Sequence, residues 1–353
     1  MTKREARRRV TINDVARAAD VSRQTVSNVV NAPEKVAPTT LGRVQREIDR
    51  LGFRPSRAAK TLKQERAGAW GIELNSETFG RFGTILDTFL VELTTRSRRH
   101  DAHIVPFTAH HENDPVPAYE DLVASRIADG FVLTDTRHGD PRPAWLRDHA
   151  VPYAAFGRIW DDPSITTWVD VDGAAGVSAA VRHLAEQGYE RIGWLGWPGD
   201  SPVGEDRRLG WARTTADLGL ANADWAGSSP QQLERAAPSA AALIDTIGPG
   251  GALVCASDGL ALGAWQVLLQ RGLRLGTDFG LVGFDDTDLA AAIGLTTLRQ
   301  PLAAVADHVL RMLGTGTTTE ADSPAGILLP PELVVRASST PADDRTTTER
   351  GTT

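Results

Sequence analysis

From Ala69 onward the chain alternates short apolar runs with amphipathic stretches, and this alternation constrains the fold more than any other feature. The runs WGIEL, HIVPF, GFVLT, VPYAAFG, TWVDV, RIGWLGW, GALVCAS and FGLVGFD are near-continuously apolar, the pattern of strands covered on both faces of a parallel sheet. Between them, residues 84–99, 176–187, 208–218 and 260–271 repeat apolar positions at helical spacing. Repeated βα units predict doubly wound parallel sheets, and 353 residues leave room for two of them beside a smaller domain.

Charge separates the smaller domain from the rest. Residues 1–66 carry 16 Lys and Arg against 7 Asp and Glu, a net +9, inside a chain whose total is −7. A basic segment with an Arg7, Arg8, Arg9 arm on an otherwise acidic chain points to contact with a polyanion. The opening MTKREARRRV is basic but has no apolar run behind it, so neither export nor membrane insertion is expected and the cytoplasm is the expected location. A single cysteine, Cys255, excludes a disulfide framework within the chain.

Within the basic segment, DVARAADVSRQTVSNVVN places Val15, Ala16 and Ala19 on one helical face and repeats the pattern at Val26, Val29 and Val30 after a break at Asp20–Ser22. Two short helices therefore meet across a tight turn. Thr11 with Asp14 forms a capping-box pattern for the first helix, and Ser22 is placed to cap the second. Asp20 occupies a turn position that needs φ > 0, which Asp tolerates better than most residues. A third helix follows, with Leu41, Val44, Ile48 and Leu51 at helical spacing and Gly52 as its stop.

The run from Val10 to Leu62 resembles the DNA-binding headpiece and hinge of the LacI/GalR family of bacterial transcription regulators, with Asp20 where that family usually has glycine. Looser similarity continues to about Ala337. The resemblance implies a small all-α helix-turn-helix DNA-binding domain, preceding an α/β core of two doubly wound parallel-sheet subdomains of the periplasmic-binding-protein-like type. The implied division is a basic arm (1–9), headpiece (10–55), hinge (56–67), core N-subdomain (68–164 and 295–324), core C-subdomain (165–294 and 325–339) and a disordered tail (340–353), with crossovers near Ser164, Leu295 and Pro324. It implies a homodimer on double-stranded, palindromic operator DNA, contacted by Thr11, Ser22, Arg23, Gln24, Thr25, Asn28, Asn31, Arg57 and Leu62. Arg23 can pair bidentately with guanine and Gln24 with adenine, whereas Ser22 and Thr25 suit phosphate; Leu62 would wedge into the minor groove.

A small effector is expected between the core subdomains, at the carboxyl ends of the strands. By resemblance, Arg207 of RRLGW and Asp285 of GFDD face it, and ASDGLALGA brings Ser257 there, with Asp258 read as a helix cap. The Arg207 and Asp285 side chains could instead pair with each other as a latch. Among nine tryptophans and nine phenylalanines, Phe79 and Trp197 are the expected stacking surfaces for a sugar ring, while Trp168 and Trp265 are expected to pack.

No nucleotide-binding glycine loop, nucleophile elbow or zinc-protease motif occurs, and the histidines at 100, 103, 110 and 111 lack metal-ligand spacing. No catalysis, metal or cofactor is expected. The chain reads as a ligand-controlled repressor of sugar-utilisation genes. A nucleoside or purine corepressor on the same architecture is the alternative, and a solute-binding protein or enzyme on the same core is the reading from a different class.

Overall fold

The computed structural model describes residues 10–53, 67–74, 85–109, 114–199, 201–314 and 326–340. Two compact units result, Met1–Ala67 and Gly68–Thr353.

The first unit holds three helices, α1 (Ile12–Ala18), α2 (Arg23–Asn31) and α3 (Pro38–Leu51). At the start of α1 the Asp14 carboxylate reaches back and accepts the Thr11 backbone N–H at 2.9 Å and its hydroxyl at 2.7 Å, the acidic half of the expected capping box. At its end, Asp20 has φ 49°, and the Val21 N–H returns to the Ala16 carbonyl at 3.0 Å. That is the Schellman arrangement, in which the left-handed residue is normally glycine. The same closure ends α3, where Gly52 has φ 64° and the Phe53 N–H reaches Ile48 O at 3.0 Å. Val15, Val26 and Val44 are fully buried and, with Ala16, Ala19, Val29, Ile48 and Phe53, make the unit's core. Small residues on α1 and α2 let so short a helix pair share one core.

The second unit runs, in chain order, β1 (Ala69–Glu73), α4 (Ile85–Ser97), β2 (His103–Phe107), α5 (Val116–Ala124), β3 (Gly130–Leu133), α6 (Pro141–Asp148), β4 (Tyr153–Phe156) and β5 (Trp168–Val171). It continues through α7 (Gly173–Glu186), β6 (Ile192–Gly196), α8 (Pro202–Asp217), β7 (Ala226–Ser228), α9 (Leu233–Ile247), β8 (Ala252–Cys255), α10 (Asp258–Gln270) and β9 (Gly280–Phe284). It closes with α11 (Asp288–Ala292), β10 (Thr296–Arg299), α12 (Leu302–Gly314), β11 (Ile327–Leu329) and β12 (Glu332–Val334).

Two six-stranded sheets form, in the orders β11-β5-β4-β3-β1-β2 and β12-β10-β9-β8-β6-β7. All strand pairs are parallel except β10 with β12. The apolar runs explain the middle of each sheet: β3, β6, β8 and β9 are buried at every position, which requires helices on both faces.

The subdomain boundaries need correction. The crossovers expected near Ser164, Leu295 and Pro324 each come one strand later, because β5 pairs with β4 and β11 in the first sheet, β10 pairs with β9 in the second, and β11 returns to the first. Ladder hydrogen bonds hold a strand in its sheet to its carboxyl end, so the chain changes lobe only after it. The lobes are therefore 68–171 with 302–329, and 173–299 with 332–339, each range taken over its described residues. The polar stretch at 161–167 joins two strands of the same sheet. The hinge expected at 56–67, apart from Ala67, and the tail from 341 lie outside the described residues. Among the described residues no helix is long and apolar enough to cross a membrane.

Candidate functional site

On the first unit, α2 offers an exposed polar first turn because its apolar positions, Val26 and Val29, face the core. Ser22 caps the helix, its Oγ accepting the Thr25 N–H at 3.0 Å while the two hydroxyls lie 2.9 Å apart. Arg23 and Gln24 are exposed. The Gln24 amide donates to Asn28 Oδ1 at 3.0 Å, one turn along, so these two side chains form a single polar strip. Asn31 turns back, donating to the Ser27 carbonyl at 2.8 Å. Of the residues expected to contact DNA, Thr11 is held by Asp14, and Arg57 and Leu62 lie outside the described residues. A guanidinium and a carboxamide on the first turn of an exposed helix carry the donor and acceptor geometry for major-groove base edges.

The second unit contains a cavity of about 330 Å³ between the carboxyl ends of the two sheets' strands. Helix α8 supplies Arg207 from its second turn, because Ser201 caps the helix and Pro202 begins it, six residues before the start that spacing suggests. Arg207 is 5% exposed. Its Nη1 donates to the Ala256 carbonyl at 2.5 Å, and its guanidinium lies 3.5 Å from the Phe284 ring centre and 5.4 Å from that of Trp197. Burial lowers its pKa, against which Asp285, Asp170, Asp206 and Asp258 act.

Asp285 follows β9 at φ 118°, a conformation strained for any residue but glycine. Its Oδ1 accepts from Gln300 Nε2 at 2.7 Å. Burial pushes its carboxyl up to about 8, opposed by the Arg207 charge and aided by Asp258. Among the described residues no carboxylate forms an ion pair with Arg207, so the latch between Arg207 and Asp285 is not present; both side chains line the cavity.

Two expectations are revised. Ser257 is fully buried and absent from the cavity wall: its hydroxyl caps α10, accepting from Leu260 N at 3.2 Å, and donates to Gln231 Oε1 at 3.2 Å. Asp258, read as the cap, instead binds the turn after β9, accepting from Thr287 N–H at 2.8 Å and Thr297 Oγ1 at 2.6 Å. Its carboxyl is raised to about 6, chiefly by burial. Asp258 thereby holds the strained turn that presents Asp285.

Trp197 does line the cavity, its indole N–H donating to Gln231 Oε1 at 2.6 Å. Phe79 lies outside the described residues. Trp194 is 2% exposed inside β6, and Trp168 and Trp265 pack against the cores as expected. Sequence reasoning missed Thr136, Phe156, Asp170, Gln231 and Gln300 on the wall. Position alone could have found Phe156, Asp170 and Gln300, which sit at or just beyond the carboxyl ends of β4, β5 and β10. The wall thus combines apolar groups from both lobes (Leu86, Phe156, Trp197) with amide, carboxyl and guanidinium groups, suited to a ligand with an apolar face and several hydroxyls.

Comparison with known proteins agrees with both units. Residues 11–56 match the family model described as bacterial regulatory proteins, lacI family, and residues 181–339 match a periplasmic binding protein-like domain. The HTH-type transcriptional regulator AglR of Rhizobium meliloti is 30% identical over 95% of this chain and 96% of its own. The regulator CelR of Thermobifida fusca is 30% identical over 95% and 99%. Among solved structures, a transcriptional regulator CelR–cellobiose complex aligns with TM-score 0.69 and 26% identity over 94% of this chain and all of that one. The lac repressor dimer bound to operator and an anti-inducer aligns with TM-score 0.77 at 24% identity, a likeness of fold.

Proposed function

The chain belongs to the lacI family of bacterial regulatory proteins, and from that premise we propose that it is a repressor of sugar-utilisation genes. It binds a palindromic operator as a homodimer, since one headpiece reads one half-site, and a sugar held between the lobes controls its affinity. The observation that carries the reading is the cavity wall: Arg207, Asp285 and Gln231 converge beside Trp197, a combination that matches a pyranose with its apolar C–H face and ring of hydroxyls. A relative of known structure was solved with cellobiose, which makes β-linked glucosides the first compounds to test.

Two measurements test this. A thermal-shift screen of mono- and disaccharides, sugar phosphates, nucleosides and purines should give a melting-point rise with a sugar, because a ligand that binds the native state stabilises it. That sugar should then reduce binding to a palindromic site selected from random-sequence DNA. A shift with purines or nucleosides alone, or tighter DNA binding on adding the sugar, would overturn the sugar-induced repressor.

A further inference from the structure

Among the described residues a single ion pair joins the two lobes of the second unit, and it lies beside the cavity. Arg158, just after β4 in the first lobe, donates from Nε to Asp170 Oδ2 at 3.1 Å within that lobe. Its Nη2 lies 3.0 Å from Asp206 Oδ2 on α8 of the second lobe. The same Asp206 oxygen accepts the Ala174 N–H at 3.1 Å, at the start of α7, directly after the first crossover. All three side chains are well shielded, at 22%, 9% and 17% exposure.

The placement of Arg158 is fixed independently. Its carbonyl accepts from Thr136 Oγ1 at 2.7 Å, and its guanidinium lies 5.0 Å from the Trp160 ring centre. Thr136 and Asp170 line the cavity on the first-lobe side, and Asp206 adjoins Arg207 on the second. A planar fork that holds one carboxylate from each lobe fixes their relative angle better than a point charge could.

We propose that Arg158 is a positioning residue that sets the angle between the lobes by bridging Asp170 and Asp206 across the first crossover, and so sets the effector-free affinity for operator DNA. The second half of this statement rests on the regulator reading; the first does not. The chain enters the core at Gly68, directly before β1, so the first lobe is the part of the core continuous with the DNA-reading unit. A change in lobe angle therefore moves the second lobe relative to the lobe that is continuous with that unit.

The test separates the two halves. Spin labels on exposed positions of the two lobes, Glu120→Cys and Glu190→Cys, report the interlobe distance in full-length dimers diluted with unlabelled chain; the native Cys255 is buried and stays unlabelled. Arg158→Met keeps the apolar stem, and Asp206→Asn keeps an oxygen for the Ala174 N–H. Each should broaden or shift the distance distribution to a similar extent, the double variant should go no further, and Arg158→Lys should restore part of the parent's distribution. Distributions that superimpose on the parent's overturn the proposal. Affinity for the selected palindrome should change by about 5- to 20-fold in each single variant without further change in the double. If the lobe distance responds and this affinity does not, the link to DNA is refuted. If the parent binds no palindrome, the regulator reading fails while the distance result still decides the bridge.

Discussion

Replacing Asp285 by Asn exposes a trade between stability and response. The side chain is 8% exposed, and burial lifts its carboxyl from the ordinary range to about 8, so between roughly pH 4 and 8 the folded chain holds a proton that the unfolded chain has lost. A state that binds more protons loses stability as pH rises, here at up to about 1.4 kcal/mol per pH unit, or about 3 kcal/mol from pH 5 to pH 7. Asn keeps the size and an oxygen for the Gln300 amide but does not titrate. The melting temperature of Asp285→Asn should therefore rise relative to the parent with pH, by roughly 4 to 6 °C between pH 5 and 7 for a core of this size. Taking the difference between the two proteins removes the slopes of the other carboxyls, among them Asp258, raised to about 6, and Asp278, lowered to about 2 by its hydrogen bonds from Arg274. Scanning calorimetry at pH 5, 6, 7 and 8 measures it. A difference that stays flat, or falls with pH, refutes the buried, proton-holding carboxyl. The effector response of the variant should fall even though its stability rises, because the amide places a nitrogen where the proposed ligand contact has a carboxyl oxygen.

Arg23→Ala should cost roughly 1 to 3 kcal/mol in operator binding and relax preference at one base position, which anisotropy titrations on single-base variants would show; unchanged preference would place another residue at that base. Operator affinity should fall with salt at a log–log slope of about 0.9 per phosphate neutralised, and a flat profile would count against the basic segment as the contact surface. Asp20→Gly should stabilise the first unit by about 0.5 to 1 kcal/mol by relieving the left-handed turn, read as slower exchange of the Val21 amide that bonds Ala16 O. Gly210→Ala should lower the melting temperature by the equivalent of about 1 to 3 kcal/mol, because its Cβ would meet the Ala174 carbonyl oxygen where α7 and α8 cross.

Local chemistry was readable and long-range assembly was less so. The Thr11–Asp14 contact, the Ser22 cap, the positive φ of Asp20 and the Gly52 stop each depend on residues within five positions of one another, so spacing reveals them. Eight of the twelve strands among the described residues were readable as apolar runs, most of them because burial on both faces leaves no polar alternation; β7, β10, β11 and β12 were not among them. The crossovers were misplaced because the change of sheet depends on which strand pairs with which, and β5 and β11 look no different from strands of the other sheet. The exchange of roles between Ser257 and Asp258 has the same origin. Either residue can cap a helix, and only the arrival of Thr287 from the start of α11 and Thr297 from β10 makes Asp258 the clamp. Gln231, which joins Trp197 to Ser257, carried no local signal.

The corrected crossovers also bear on how a bound ligand could act. Gln300 lies in the second crossover, between β10 and α12, and Asp170 is the next-to-last residue of β5, just before the first. Both line the cavity, and Gln300 is hydrogen-bonded to Asp285 of the second lobe. One wall residue, Gln300, therefore sits on a segment whose backbone angles must change when the lobes rotate, and Asp170 sits in the strand that leads into another. A ligand seated against them differs in contacts between two lobe angles without any separate relay, and that differential contact is the thermodynamic requirement for shifting an equilibrium. To move operator occupancy from nearly full to nearly empty, the preference for one angle must reach about 5.5 kcal/mol. Two hydrogen bonds to the Arg207 cation, at about 1.5 to 3 kcal/mol each, with one or two to the neutral Asp285 carboxyl, at about 0.5 to 1.5 kcal/mol each, reach that amount if they are made at only one angle. Removing either should then reduce the response while leaving effector-free operator binding near the parent's, whereas removing Arg158 should do the reverse.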